Sequence, residues 1–577
     1  MYHFSTFASL DLFFLCALFA AFSLPFLFLR QRMIGQAEVR APVWANLKRE
    51  LTIDDLKANA AAKAAVNRHV KPFQSLKEGG GVVVDTTPSS PSLANQQHST
   101  PPPPPPDVPT MQTVLMLYQP RTRYALTPKH DIPSLRSDDE VLIKVKAIGL
   151  NPIDWKAPDF GFGIPTLPYI SGRDFVGTIV DAHDPSSPLH PSTSTSSSSS
   201  SACPSPSGTI PPSSSSSSSS STTTTTTTKD QKTQTLYLAI STDYRDPRKS
   251  AFQQYAVATA HTVCRLPAAL PAAAGATLGV AFVAAALALG VCFGLDFSSR
   301  VDPSTSSASG SDPSSSSSSS TGGFLATATA GPDFRALLAA IPAARIPGDC
   351  LAEAHLHAGA DDQRRQRQHQ RAKKGDWLVL WGGSSTTARI AARLAGRRGA
   401  GMRVVAVGDV VKHGGRIVGG AGAGGGGRGG GDEDVDLWVD SHDPERAAEV
   451  VRGVVGGDAG VGRFGVDFVG RETAARLARA LDSGEGSGPP AHLVGLAAGP
   501  KGVGEGVRVH SVPIKLFHEV PEVGRATMAW LERLLEEGLL TPPEVVVEEG
   551  GLAGVNGALD RMRRGEISGK RLAVELD

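Results

Sequence analysis

The sequence predicts an α/β protein organised on a doubly wound parallel sheet, and three neighbouring observations carry that reading. Residues 377–381 (WLVLW) are a short apolar run, as a parallel strand needs when both its faces are covered. Gly382-Gly383-Ser384-Ser385 follows at once, small and hydroxylated residues where a backbone turns sharply. From 386 to 397 the apolar positions Ala388, Ile390, Ala391, Leu394 and Ala395 recur at helical spacing. Gly399 and Gly401 then end the helix, and 403–407 (RVVAV) forms the next strand.

A turn this tight at a helix N-terminus aims backbone N–H groups and the positive end of the helix dipole at one point. A diphosphate fits there without a cationic side chain. The common fingerprint is Gly-x-Gly-x-x-Gly/Ala, whereas this chain has Gly382-x-x-Ser385-x-x-Ala388. Ala388 still permits close helix–strand packing, and Ser385 stands where glycine is common. Gly382, Gly383, Ser384 and Ser385 are therefore expected to hold a nucleotide, with Thr386, Thr387 and Ala388 opening the helix. Taken alone, the motif also reads as a flexible loop between core elements.

The chain has 577 residues, room for several domains. Lys and Arg number 57 against 56 Asp and Glu, a net charge of +1, so the footprint of a nucleic-acid binder is missing. Cys16, Cys203, Cys264, Cys292 and Cys350 are isolated, and none has the C-x-x-C spacing of a zinc or redox site. A reducing, cytosol-facing location is the simpler reading of such cysteines.

Residues 12–29 (LFFLCALFAAFSLPFLFL) carry no charge and are followed by Arg30 and Arg32. That is about the shortest helix that crosses a bilayer. With basic residues downstream, residues 1–32 are expected to form a single-pass anchor whose following domains face the cytoplasm. The alternatives are a cleaved signal, or a segment foreign to the natural product, which leaves a cytoplasmic protein. Residues 33–110 read as a tether ending in Pro101–Pro106, a stiff polyproline spacer. Strand-like texture begins at Met111, and in 141–147 (VLIKVKA) apolar residues alternate with Lys144 and Lys146.

Three ordered blocks then carry a resemblance. "IGLNPIDWK" with "LPYISGRDFVGTIV" resembles the GroES-like catalytic domain of the medium-chain dehydrogenase/reductase superfamily. "GDWLVLWGGSSTTA" resembles that superfamily's Rossmann cofactor domain, and the stretch from "VHSVPIKLFHEV" to the C-terminus its return to the sheet. The fungal quinone-oxidoreductase and trans-acting enoyl-reductase branch is the nearest in pattern. The resemblance implies a GroES-like β-barrel over 111–278, a Rossmann doubly wound parallel-sheet domain over 279–540, and a C-terminal return over 541–577. Residues 184–232, 297–371 and 414–431 interrupt it with serine, threonine and glycine tracts. Such tracts bury too little apolar surface to offset the entropy of ordering them. They read as solvated loops, or equally as retained non-coding sequence.

The same resemblance frames the chemistry. Zinc-dependent relatives carry Gly-His-Glu where this chain has Gly172-Arg173-Asp174, and a cysteine where it has the Asn151-Pro152-Ile153-Asp154 block. The expectation is no zinc. Hydride transfer to an activated C=C or to a quinone then suits the site better than alcohol oxidation. The Asn151 loop, including Pro152 and Asp154, should lie beside the nicotinamide. Asn151 is either a catalytic hydrogen-bonding group or a turn residue, and Tyr169 either a proton donor or a buried aromatic. Thr277, Leu278, Gly279, Val280, Ala281 and Phe282 match the family's substrate-pocket segment, and Ala284 stands where relatives often have a hydroxyl. Asp409 after the second strand suits a ribose diol, whereas Lys412 could pair with a 2′-phosphate. Together with Ser441 and Lys570 these are the expected cofactor contacts. The relatives mostly use NADPH, so NADPH is expected and NADH is also permitted.

The substrate implied is a small hydrophobic enone, quinone or enoyl thioester, with a polyketide synthase as partner. Two rival functions fit the departures from pattern: a nucleotide-binding protein with little turnover, and a membrane-tethered scaffold.

Overall fold

The computed structural model describes residues 108–183, 189, 234–298, 330–354, 371–413, 433–457, 461–482 and 490–576. All belong to the unit Pro102–Asp577. The expected anchor, the tether up to residue 107, the serine and threonine runs and the glycine-rich 414–431 segment lie outside the described residues.

The described chain opens with β1 (Met111–Leu117), β2 (Ala125–Asp131) and β3 (Glu140–Gly149). Helix α1 (Pro152–Phe160) begins on a proline, whose missing N–H costs nothing in a first turn. There follow β4 (Tyr169–Ile170), β5 (Asp174–Ala182), β6 (Tyr237–Ile240), β7 (Tyr255–Thr259) and β8 (Val263–Arg265). β3 is the spine of this half, pairing antiparallel with both β5 and β7. Its Lys144 and Lys146 are half-buried between fully buried neighbours, so the strand alternates as its sequence does.

Next come α2 (Ala272–Ala276), α3 (Gly279–Leu287) and a π-helical turn, Ala288–Cys292. Residues 272–292 are long and apolar enough to cross a membrane, yet 89% of that window is buried, and it packs as a core helix. Helices α4 (Phe334–Ala339) and α5 (Leu351–Ala354) then precede the second sheet. Their presence corrects the expected 297–371 insertion. Phe334 is 0% exposed and Leu338 1%, inside the main hydrophobic cluster with Ile341 and Ile346. The serine run drew the sequence boundary too wide, because residues 330–354 are apolar enough to bury a face of their own.

The second half runs β9 (Trp377–Trp381), α6 (Thr386–Ala395), β10 (Arg403–Gly408), β11 (Leu437–Asp440), α7 (Pro444–Gly456) and β12 (Arg463–Asp467). It continues with α8 (Arg471–Leu481), β13 (Ala491–Gly495), β14 (Val507–His510), α9 (Lys515–Glu519) and α10 (Pro521–Glu536). These strands form one six-stranded sheet in the order β11-β10-β9-β12-β13-β14, parallel throughout. Numbered within the sheet that is 3-2-1-4-5-6, the Rossmann order, with its switch point between β9 and β12. All of β9 is buried, as its unbroken apolar run requires.

The chain then returns to its first half. β15 (Val545–Glu548), α11 (Gly551–Arg563) and β16 (Arg571–Glu575) close the structure. β16 lies parallel to β15 and antiparallel to β3, completing a seven-stranded sheet.

Candidate functional site

The switch point of a doubly wound sheet leaves a crevice at the carboxyl ends of its strands. The Gly382–Ser385 turn sits there. Gly382 has φ +91°, a left-handed conformation that glycine adopts without strain. A Cβ at 383 would lie 2.8 Å from the Ala406 Cβ and 3.2 Å from the Trp438 ring. The amides of both glycines donate to Val407 O at 2.9 Å, so they bend the chain and offer no N–H to a ligand. Ser385 caps α6, its Oγ accepting from the Ala388 N–H at 3.2 Å. Other amides in that first turn have no intrahelical acceptor, which leaves donors facing the crevice. Thr387 and Ser384 are part-exposed, whereas Thr386 and Ala388 are buried. Across the crevice Asp467 ends β12 and accepts from the Val469 and Gly470 amides at 3.0 and 2.8 Å. Its buried Oδ2 has no partner, and Val469 is 53% exposed beside Gly382.

The rim of the crevice is charged. Asp409 follows β10 and accepts from the Lys412 N–H at 2.8 Å. Ser441 N–H donates to Gly408 O at 2.9 Å, fixing the parallel turn after β11. Asp440 holds His442 Nδ1 at 2.9 Å, and His442 Nε2 lies 3.6 Å from Asp409. The bond to Asp440 raises the His442 pKa above its ordinary value. His413 Nε2 meets Ser568 Oγ at 3.2 Å, which brings the loop carrying Lys570 against this turn. Lys570 itself pairs with Glu544.

Beside α3 the two halves are joined by a buried charge network. Asn151 is 4% exposed and both ends of its amide are used. Its Nδ2 donates to Asp174 Oδ2 at 2.9 Å, and its Oδ1 accepts from Arg571 Nη2 at 2.9 Å. Asp174 Oδ1 also accepts the Val280 N–H at 2.9 Å, and Arg571 stands 3.8 Å from its Oδ2. Asp154 accepts the Asn151 N–H at 2.8 Å, while its Oδ1 is buried without a partner. Burial pushes Asp154 up to about 7 and Asp174 up to about 6. Arg173 donates to Tyr169 Oη at 3.3 Å and stacks 4.8 Å from the Tyr244 ring.

These contacts revise several sequence expectations. Asn151 and Asp154 face inward, and neither side chain is open to a nicotinamide; Pro152 is exposed. Tyr169 is 3% exposed and acts as the buried aromatic of its two readings. In the expected substrate segment, Thr277, Leu278, Gly279, Ala281 and Phe282 are all core residues. Only Val280 among the six is part-exposed, and Ala284, one turn on, shares its face. The reason is packing: a Cβ at 279 would lie 2.5 Å from Asp174 Oδ1, and Phe282 meets Trp530 edge-on at 5.3 Å.

Residues 137–268, which hold β3, β5 and β7, match the alcohol dehydrogenase GroES-like domain. That domain and a parallel 3-2-1-4-5-6 sheet stand in one chain. This pairing of a GroES-like domain with a parallel doubly wound sheet is similar to the arrangement of the medium-chain dehydrogenase/reductases. Among curated proteins similar to the chain, the trans-enoyl reductase tenC of Beauveria bassiana is 36% identical over 75 residues, 13% of this chain and 18% of that protein. A trans-enoyl reductase of Gibberella fujikuroi is 41% identical over 59 residues, 10% and 17% of the two chains. The matched stretch thus spans less than one fifth of either relative. Solved structures similar to the chain include the quinone oxidoreductase from Coxiella burnetii, 14% identical, TM-score 0.44, covering 81% of this chain and 100% of that one. An alcohol dehydrogenase superfamily protein from Novosphingobium aromaticivorans is 14% identical with TM-score 0.46 over 81% and 100%.

Sequence reasoning missed Asp174, Arg571, Trp438 and His442 as members of this site. Arg571 was findable as a lone cation opening an apolar C-terminal strand, RLAVEL, which a buried position permits only beside an acid. Trp438 and His442 carried no signal, since only the sheet order brings β11 beside the glycine turn.

Proposed function

We propose that this protein is an NAD(P)H-dependent reductase of the medium-chain dehydrogenase/reductase type that delivers hydride to the β-carbon of an enone or enoyl thioester, or to a quinone. The observation that carries the reading is the glycine–serine bend at the switch point, where the capped start of α6 faces the crevice. A bound nicotinamide would supply the hydride; the chain's part is to bind, orient and shield. The first-turn amides of α6 would hold the diphosphate, and Asp409, Lys412 and Ser441 would meet the adenosine ribose. Asp409 works against a 2′-phosphate while Lys412 works for it, so the preference for NADPH rests on the balance of these two. Val280 and Ala284 present an apolar half-turn to the substrate side, which suits a hydrophobic acceptor. The trans-enoyl reductase matches support the enoyl class, and a polyketide synthase is then the partner that would supply the thioester.

The Asp174 cluster holds Asn151 so that the β3–α1 corner keeps its shape beside α3. Its donor set does not fit zinc: the Asp174 carboxylate is engaged by Asn151, Val280 and Arg571, and a guanidinium stands at 173. We read hydride transfer at this site as zinc-independent on that chemistry. The internal engagement of Asn151 and Tyr169 gives the rival reading, nucleotide binding with little turnover, its specific support.

Thermal unfolding of the full chain with NADPH and with NADH separates these readings. At about 100 times Kd a bound dinucleotide stabilises by about 2.7 kcal/mol, a readily measured rise. Oxidation of the protective nucleotide by an enone, a quinone or an enoyl thioester completes the proposal. Protection without oxidation supports the rival, and no protection by either nucleotide ends both.

A further inference from the structure

Outside the crevice, donors from three separate segments converge. Cys292 closes the π-helical turn after α3, Glu353 lies in α5, and His510 ends β14. One donor atom from each, thiol, carboxylate and imidazole, lies within 4.8 Å of the other two. Cys292 is 0% exposed and His510 2%. The wide turn that aims Cys292 is itself unusual: Phe293 N–H reaches back to Ala288 O at 3.0 Å, and such π-turns gather at functional positions.

The imidazole is already supported from behind. His510 Nδ1 lies 2.9 Å from Glu353 Oε2, and its Nε2 lies 2.8 Å from His492 Nδ1. His492 is 2% exposed, and its own Nε2 has no partner. A ring that gives Nδ1 to a cation needs its Nε2–H accepted by a neighbour, and His492 Nδ1 is placed to accept it. Arg335, 8% exposed and without a hydrogen-bond partner, is the opposing charge. A thiolate and a carboxylate together cancel a divalent ion, so the loaded site is neutral beside Arg335.

We propose that Cys292, Glu353 and His510 bind one zinc-class divalent cation, with His492 orienting His510. Thiolate, imidazole and carboxylate are the ligand types zinc takes, and three of them leave a fourth position open. Binding releases the Cys292 thiol proton to solvent and leaves the imidazole neutral. The site shares no residue with the glycine–serine turn, and it stands whether or not the chain reduces enones.

The test is a cobalt titration of the chelator-treated full chain, followed by optical absorption. The expected result is one equivalent bound with a thiolate-to-cobalt charge-transfer band, displaced by zinc. C292S should lose the band, and H492F should keep it with about 10–100-fold weaker binding. H442N, at the other acid–histidine cluster, should leave it unchanged. No charge-transfer band, or a band that survives C292S, overturns the proposal. Should C292S fail to fold, alkylation of native Cys292 decides the matter: protection by zinc supports the site and equal labelling overturns it.

Discussion

Asp154 and Asp174 are carboxyl groups with no exposed surface, and their titration ties the site to folding. Asp154 rises from 3.8 to about 7 through burial, so between those values the folded chain holds a proton the unfolded chain has lost. Its contribution to stability is therefore full below about 4, falls as pH rises, and is gone above about 7. Asp174, at about 6, acts in the same direction. His492 and His518, pushed down to about 3 and about 4 by burial, act oppositely, since the unfolded chain takes up protons below 6.5 that the folded chain refuses. The acids and the histidines thus oppose each other through the mildly acidic range. D154N removes one acid and keeps an acceptor for the Asn151 N–H. Relative to the parent it should gain stability as pH rises from about 4 to about 7, measured by urea unfolding at both ends. An equal offset at both pH values would show that Asp154 does not titrate in that window.

Two elements carry predictions of their own. In the proposed reading Asp409, in the turn after β10, would oppose a 2′-phosphate; His442 pairs with it and with Asp440. D409S should raise the ratio of NADPH to NADH affinity by roughly tenfold, about 1.4 kcal/mol for one removed charge clash. Nucleotide-dependent melting shifts measure it, and an unchanged ratio places the ribose elsewhere. Helix α4 belongs to the core although it lies inside an expected insertion. F334A should therefore cost about 3–5 kcal/mol, as the loss of a fully buried aromatic does. A change under about 0.5 kcal/mol, the scale of a surface substitution, would return this segment to the solvated loops.

At the scale of the whole molecule, the C-terminal segment is an interior part of the first sheet. β16 lies between β15 and β3, and Arg571 on it holds Asn151. A chain ending before β15 should lose cooperative unfolding of the first half, because β3 loses a neighbour and Asp174 a cation. Circular dichroism melts of the truncated and full chains would show it; coincident melts would mean that the return is dispensable.

The sequence by itself determined the Rossmann elements around β9. An apolar strand, a glycine–serine turn and an amphipathic helix are local patterns, each fixed by residues within one turn or one strand of each other. It also determined the small and hydroxylated residues that form the turn and cap α6 there. Tertiary structure alone decided the inward facing of Asn151 and Tyr169, the burial of most of 277–282, and the place of α4 in the core. It also decided the meeting of Cys292, Glu353 and His510. Those outcomes depend on which distant segment packs against a residue. Spacing along a chain does not encode that, because a side chain's neighbours are chosen by the sheet order and by the space left to fill.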